Sequence, residues 1–205
     1  MTTIEHAFVG INTVFATGMY RKHGWQLVAV TAFASILPDW DALTFLWSVE
    51  LFDTAHRSWG HSLLVCFLVS TVFAIIDYRF DFVTGMGRWF QRVSRLEMDQ
   101  NALKPRTNFL IKPVFIWGFF ANLAGLLHLL ADIVVSGHPE MANWGVRVFW
   151  PFSNAEIAFP MISWGDIGVS IIFFTGMFAM LKWKSKVQPI AALIFVAVIL
   201  YIIVF

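Results

Sequence analysis

The sequence predicts an all-α polytopic membrane protein: one domain over residues 1–205, a bundle of about five or six transmembrane or re-entrant helices with a metal site at one membrane face. Three observations carry this. Hydrophobic residues make up 59% of the 205 and charged ones only 13%, against roughly 25% charged in soluble domains, and mean hydropathy is +0.71. Apolar runs alternate along the chain with shorter polar connections. The scarce ionisable residues are also gathered rather than scattered: Asp39, Asp41, His56 and His61 share the stretch 38–62, and ionisable side chains near lipid are costly enough to mark a functional site. A net charge of +1 with no basic face on a soluble domain speaks against nucleic acid as a partner. A single cysteine, Cys66, rules out an intramolecular disulfide and a thiolate cluster.

The first apolar segment runs from about Ile4 to Tyr20 and is closed by Arg21 and Lys22; the second, Trp25 to Leu37, is stopped by Pro38. Both are shorter than the roughly 20 residues of an ideal span. The third, Ser62 to Asp77, is rich in Leu, Val and Phe. A basic polar region follows at about 78–112. Within it Phe82, Met86, Trp89, Phe90, Val93 and Leu96 recur at helical spacing, which predicts an amphipathic surface helix before a turn region at 101–108. Pro113 suits a first helical position and opens a fourth span ending near Asp132. Residues 133–166 read as a loop rich in Gly, Pro and Trp. A fifth span covers Ile167 to Leu181, and a sixth starts at Pro189 after Lys182, Lys184 and Lys186.

The basic residues orient these segments. The loops at 21–24, 78–112 and 182–188 hold twelve of the fourteen Lys and Arg, so the positive-inside rule places them in the cytoplasm and both termini outside. Only Arg57 and Arg147 fall on the other side. The same alternation brings His6, Asp39, Asp41, His56, His61, His128 and Asp132 to the non-cytoplasmic end of a multi-pass protein of the inner (plasma) membrane. The histidines play no part in drawing that topology, so their convergence supports a shared site independently.

His128 and Asp132, four apart, project from one helix face; they suit a divalent metal or a plain His–Asp hydrogen bond. Asp39 and Asp41 cannot share a helix face and suit a loop or first turn after Pro38, one capping and the other turned into the site. His56 and His61 are five apart, off-face on one helix, but Gly60 allows a turn that lets them converge. Ser62 is a candidate cap for the third span. Arg57 is placed to stabilise developing negative charge or to form a salt bridge with Asp53 or a spare carboxylate of the site. His6 gains weight from its matching depth, His23 falls on the opposite side, and His138 ranks below the others. Trp40, Trp47, Trp59, Trp144, Trp150 and Trp164 fall on the site's side, as an interfacial belt or a lid over a lipid.

As a set, the early His6, the Pro-Asp-x-Asp step at Pro38 to Asp41, the His-Arg-x-x-x-His-Ser box from His56 to Ser62, the His128/Asp132 pair and the downstream Gly145 to Phe152 segment resemble the YdjM family of membrane-bound metal-dependent hydrolases. The family's usual Gly-x-Thr after the box arginine is Ser58-Trp59-Gly60 here, which leaves both imidazoles in place. The pattern is similar, more distantly, to zinc-dependent phospholipases C, and that likeness implies phosphoester substrates. Other families fit less well. No His-x-x-His-His follows, as a membrane desaturase would need; Ser136-Gly137-His138 comes after His128 and Asp132, the reverse of the lipid-phosphatase order; and there is no His-Glu-x-x-His of a zinc protease.

The expectation is therefore a hydrolase with His6, Asp39, Asp41, His56, His61, His128 and Asp132 as ligands. Seven exceed one tetrahedral zinc, which predicts two ions, zinc first among the candidates. Asp41 would serve as general base and Arg57 would hold the anion, on an amphiphilic phosphoester presented from the lipid bilayer. A non-enzymatic metal-binding sensor or transporter is the second reading. Mid-span regions nearly free of charge favour a surface site over a transport path.

Overall fold

The computed structural model describes residues 1–94, 103–105, 110–137 and 144–205, and among these the chain is helical, with two isolated bridges (Gly137 with Ser163, Val146 with Ile157) and no strand. Helix α1 spans Thr3–Ala16, α2 Tyr20–Ile36, α3 Val49–Ala55, α4 Leu63–Phe80, α5 Phe82–Ser94, α6 Ile111–Val134, α7 Ile167–Lys182 and α8 Val187–Val204. A 3-10 stretch, Leu37–Leu46, continues from α2. It begins where Pro38 removes a backbone donor and ends the regular ladder.

Among the described residues, four helical stretches are long and apolar enough to cross a membrane: Tyr20–Leu46, Leu63–Phe80, Ile111–Val134 and Lys184–Val204. This is slightly fewer than the five or six expected. Helix α7, with 16 residues, is about 24 Å long and α1, with 14, about 21 Å, both short of a roughly 30 Å hydrocarbon core. Their place in the bundle is nevertheless that of the predicted first and fifth segments.

Successive long helices run antiparallel, joined by short turns at α1–α2 and α7–α8 and by longer segments elsewhere. The start of α1, the end of α2, the start of α4, the end of α6 and the start of α7 consequently meet at one end. At that end Ser170 Oγ of α7 donates to Glu5 of α1 (2.7 Å), and Tyr201 Oη of α8 donates to Asp166 (2.8 Å). The opposite end holds Arg21, Lys22, Arg79, Arg88, Arg92, Lys112, Lys182, Lys184 and Lys186, and Gln188 reaches the Ala16 carbonyl there. These basic residues and the seven candidate ligands thus lie at opposite ends of the bundle. Helix α5 sits at the basic end with Phe82, Trp89, Phe90 and Val93 exposed along one face, the stripe expected of an interfacial helix. The expected extension to Leu96 and the 101–108 turn region lie largely outside the described residues.

Two large apolar groups and a smaller third, of Cys66, Leu129, Val146 and Val148, hold the bundle. One packs Val14, Leu27, Val30 and Ala34 of α1 and α2 against Ala74, Tyr78, Trp117 and Phe120 of α4 and α6. The second packs Val9 against Phe173, Met180, Ile194 and Val198 of α7 and α8. Helix crossings are tight where glycine allows it: a Cβ on Gly10 would press on Thr31, Ala32 and Ser35 of α2, and one on Gly125 would press on Cys66 and Ser70 of α4. Small residues at such crossings let helices in lipid approach closely.

Candidate metal centre

The α1 N-terminus is fixed by a capping box, Thr2 accepting from the Glu5 amide while Glu5 accepts from the Thr2 amide. That places His6 one turn inside. The Gly10 crossing then sets Ser35 of α2 against α1, where its hydroxyl donates to the His6 carbonyl. The Ser35 carbonyl accepts from His128 Nδ1 of α6 at 2.7 Å. Ser35 therefore ties three helices together beneath the site. This residue was not among those singled out from sequence; a serine in an apolar run, one turn before Pro38, was the signal available.

That hydrogen bond also fixes the His128 tautomer. A carbonyl only accepts, so Nδ1 carries the proton and Nε2 the lone pair. The same logic applies to Asp41, which is fully buried. Its Oδ1 accepts from His56 Nδ1 (2.9 Å), and its Oδ2 accepts from His61 Nδ1 (2.9 Å) and from the Gly60 amide (3.0 Å). Gly60 can come this close because it lacks a side chain; a Cβ there would collide with the Pro38 carbonyl. Both His56 and His61 are thereby left with Nε2 as the basic nitrogen.

The Nε2 atoms of His61 and His128 face each other at 3.1 Å, a hydrogen bond in which the doubly protonated His61 donates to the His128 lone pair. Around them, Asp39 Oδ1 lies 3.5 Å from His61 Nε2 and 3.6 Å from His128 Nε2. Asp132 Oδ2 lies 3.3 Å and 3.6 Å from the same two atoms. A tetrahedral ion with bonds of about 2.0–2.1 Å requires donor atoms about 3.3–3.4 Å apart. The five separations bracket that value, a spacing compatible with a cation held among these side chains. The 2.9 Å contacts of Asp41 are instead of hydrogen-bond length.

His6 stacks on His128, ring centroids 3.6 Å apart, with Nε2 3.1 Å from Asp132 Oδ1, while its Nδ1 is buried without a partner. The Met1 α-ammonium also meets Asp132 Oδ1 (2.6 Å). Three overlapping groups could each hold an ion: His6/His128/Asp132, Asp39/His61/His128 and Asp41/His56/His61. All seven residues expected to be ligands thus come together at one end of the bundle. His138 lies outside the described residues.

Arg57 is 2% exposed and its φ is 61°, a left-handed conformation uncommon for a non-glycine residue. Its guanidinium stacks on the Trp144 ring (4.5 Å), donates to the Trp144 carbonyl and approaches Asp132 Oδ2 at 3.6 Å, while Nε has no partner. The downstream segment provides this setting. The Arg147 amide donates to the Arg57 carbonyl and the Leu63 amide to the Val148 carbonyl (both 2.9 Å), so the loop pins the box arginine and the start of α4. Ser62 caps α4 as expected, accepting from the Val65 amide.

Charge completes the description. Asp39, Asp41 and Asp132 face Arg57, the Met1 ammonium and the His61 imidazole. Burial opposes charge on His61, but hydrogen bonds with Asp132, Asp39 and Asp41 prevail and hold its pKa well above the usual histidine range. For Arg57, burial pushes the guanidinium pKa down against the pull of Asp132, Asp39 and Asp41. The outlet toward solvent lies at Asp39 and His56, whose side chains are 19% and 13% exposed; Thr3 donates to the outer oxygen of Asp39 (2.9 Å).

Compared with known proteins, the whole chain, residues 1–205, matches the model of one family, described as YdjM inner membrane protein. Neither the curated proteins nor the solved structures compared with it gave a match.

Proposed function

The chain belongs to the YdjM inner membrane protein family, and from that premise we propose that it is a metal-dependent hydrolase that cleaves a phosphoester of an amphiphilic substrate at the membrane surface. The observation that carries this reading is the set of five donor separations of 3.1–3.6 Å among His61, His128, Asp39 and Asp132. In this reading those four residues hold one zinc-type ion, fewer than the two expected from the ligand count. Asp41 holds the imidazoles in place, and His6 lies behind Asp132 against His128.

When bound, the ion supplies Lewis acidity and lowers the pKa of water. The other roles belong to the chain. His56, with Nδ1–H fixed on Asp41, presents Nε2 at the open side and takes the proton of the attacking water, the arrangement by which a buried carboxylate orients a general base. Arg57 has an unpartnered Nε–H in a buried setting beside Asp132. It holds the negative charge that develops on the phosphoryl oxygens. Basic residues at the opposite end of the bundle orient the site away from the cytoplasm by the positive-inside rule.

The test is metal analysis of purified protein alongside His61→Ala and Asp132→Ala, followed by hydrolysis assays on soluble and vesicle-borne phosphoesters. The expected outcome is about one divalent ion per chain, lost in both variants, with turnover favouring the vesicle-borne substrate. Only trace metal in gently purified wild type would sink the reading. Stoichiometric metal without turnover on any ester would assign a sensor instead.

A further inference from the structure

Between α4 and α6 lies a groove of about 790 Å³, walled by Leu63, Phe67, Ile75, Phe119, Leu126 and Leu129 among others. Its position relative to the metal centre is fixed by the chain. Leu63 follows His61 by two residues and Leu129 follows His128 directly, so the upper end of the groove is built from the same two helix ends that carry the facing imidazoles. From Leu63 to Ile75 the groove descends about 18 Å along α4, slightly more than the ~15 Å depth of one leaflet's hydrocarbon.

The groove's floor includes a second clue. Gly118 lines it, and a Cβ built there meets nothing within 4 Å. Glycine in a helix interior is destabilising by about 1 kcal/mol relative to alanine, and in lipid it is usually repaid by a close helix crossing, as at Gly125. At Gly118 no helix approaches, so the missing side chain serves only to keep the groove open. The two polar side chains in the wall, Asn122 and Thr71, bond to each other at 2.9 Å.

We propose that this groove binds one acyl chain of an anionic lipid while the lipid's phosphoryl head group reaches the metal centre and Arg57. The proposal rests on the hydrolase reading for the head group and adds the substrate class: an acyl-chain phospholipid or lipid-linked phosphoester entering from the leaflet on the site's side. The groove fixes depth and the charged cluster fixes the head, and the adjacency of the groove's Leu63 and Leu129 along the chain to His61 and His128 selects a lipid over a second copy of the chain.

The experiment uses zinc-loaded full-length protein in phosphatidylcholine vesicles doped with phosphatidylglycerol carrying a photoreactive diazirine in mid-chain, with cross-links mapped by mass spectrometry. Peptides containing Phe67, Phe115, Phe119 and Leu126 should be labelled about tenfold over those containing Phe174, Phe178 and Leu193, exposed residues of α7 and α8 that sample bulk lipid. Gly118→Trp should bring groove labelling down to that bulk level with metal content and thermal midpoint unchanged. A diacylglycerol carrying the same diazirine should label the groove severalfold less than phosphatidylglycerol. Uniform labelling of both regions, equal labelling by the two probes, or chain-to-chain cross-links through the groove would each overturn the proposal. Metal content of the same sample separates the two readings: trace metal defeats the hydrolase, whereas uniform labelling of metal-loaded protein defeats only the acyl site.

Discussion

Asp41 is the residue whose role spacing along the chain does not reveal. Its sequence position gives it the same depth as Asp39, and both qualify as ligands on that ground. What separates them is which atoms they face: Asp39 turns Oδ1 to the Nε2 atoms of His61 and His128, whereas Asp41 spends both oxygens on N–H donors. Carboxylates that orient ligating histidines are worth about 10–100-fold in metal affinity or activity. Asp41→Asn should therefore weaken zinc affinity by about that factor, and Asp39→Asn more severely, as measured by competition with a chelator. Arg57→Lys should retain metal yet lower kcat by about 10²–10³-fold, the usual loss when one preorganised donor to a developing anion is removed.

The His61 proton gives a pH signature. Because the folded, metal-free protein holds this pKa well above the unfolded value of about 6.5, the proton contributes stability that is fully present below that unfolded value and is lost as pH rises through the folded pKa. Metal must displace the same proton. Calorimetry of zinc binding at neutral pH in buffers of different ionisation enthalpy should show close to one proton released on this account, with affinity rising as pH rises toward the folded pKa. Proton release that is absent would mean that His61 is not a ligand.

At the scale of elements, the apolar runs and their stops were legible: α4, α6, α7 and α8 begin within about two residues of the expected starts, because Ser62, Pro113 and the lysines at 182–186 carry local chemistry that ends or begins helices. Span length was less so. The polar residues that shorten α1 and α7 as membrane segments do not interrupt their helical periodicity, and hydropathy cannot separate a crossing helix from one sheltered by neighbours. The crossings themselves were not visible either, since a glycine pressed against another helix and one lining an open groove look the same in sequence. They should respond differently: Gly125→Leu, facing Cys66 and Ser70, should lower the thermal midpoint and release metal, an overpacking cost of about 1–3 kcal/mol, while Gly118→Leu should do neither.

For the whole molecule, alternation of the helices carries more of the function than any single motif. It sends ten basic residues of the described chain, Lys104 among them, to one end and every candidate ligand to the other, which sequence alone foresaw from charge counts. In a Cys66→Ser background, Asn154→Cys should react with an impermeant maleimide from the periplasmic side and Arg92→Cys only after permeabilisation. The reverse pattern would invert the protein in its membrane.

The separation of the two facing histidines along the chain has a consequence for biosynthesis. His61 and His128 are 67 residues apart, an interval of roughly 3 to 13 s of synthesis at ribosomal speed. During it α1, α2 and α4 are available with the Asp39–Asp41–His61 half of the centre already in place, while α6 is still being made. The nascent chain thus presents an unfinished, negatively charged half-cup that the last ligands close, and closure coincides with the Ser35 carbonyl gaining its partner. Under the proposed metal-dependent reading, metal capture would coincide with this closing step, and chains made without metal would carry α6 inserted but not locked.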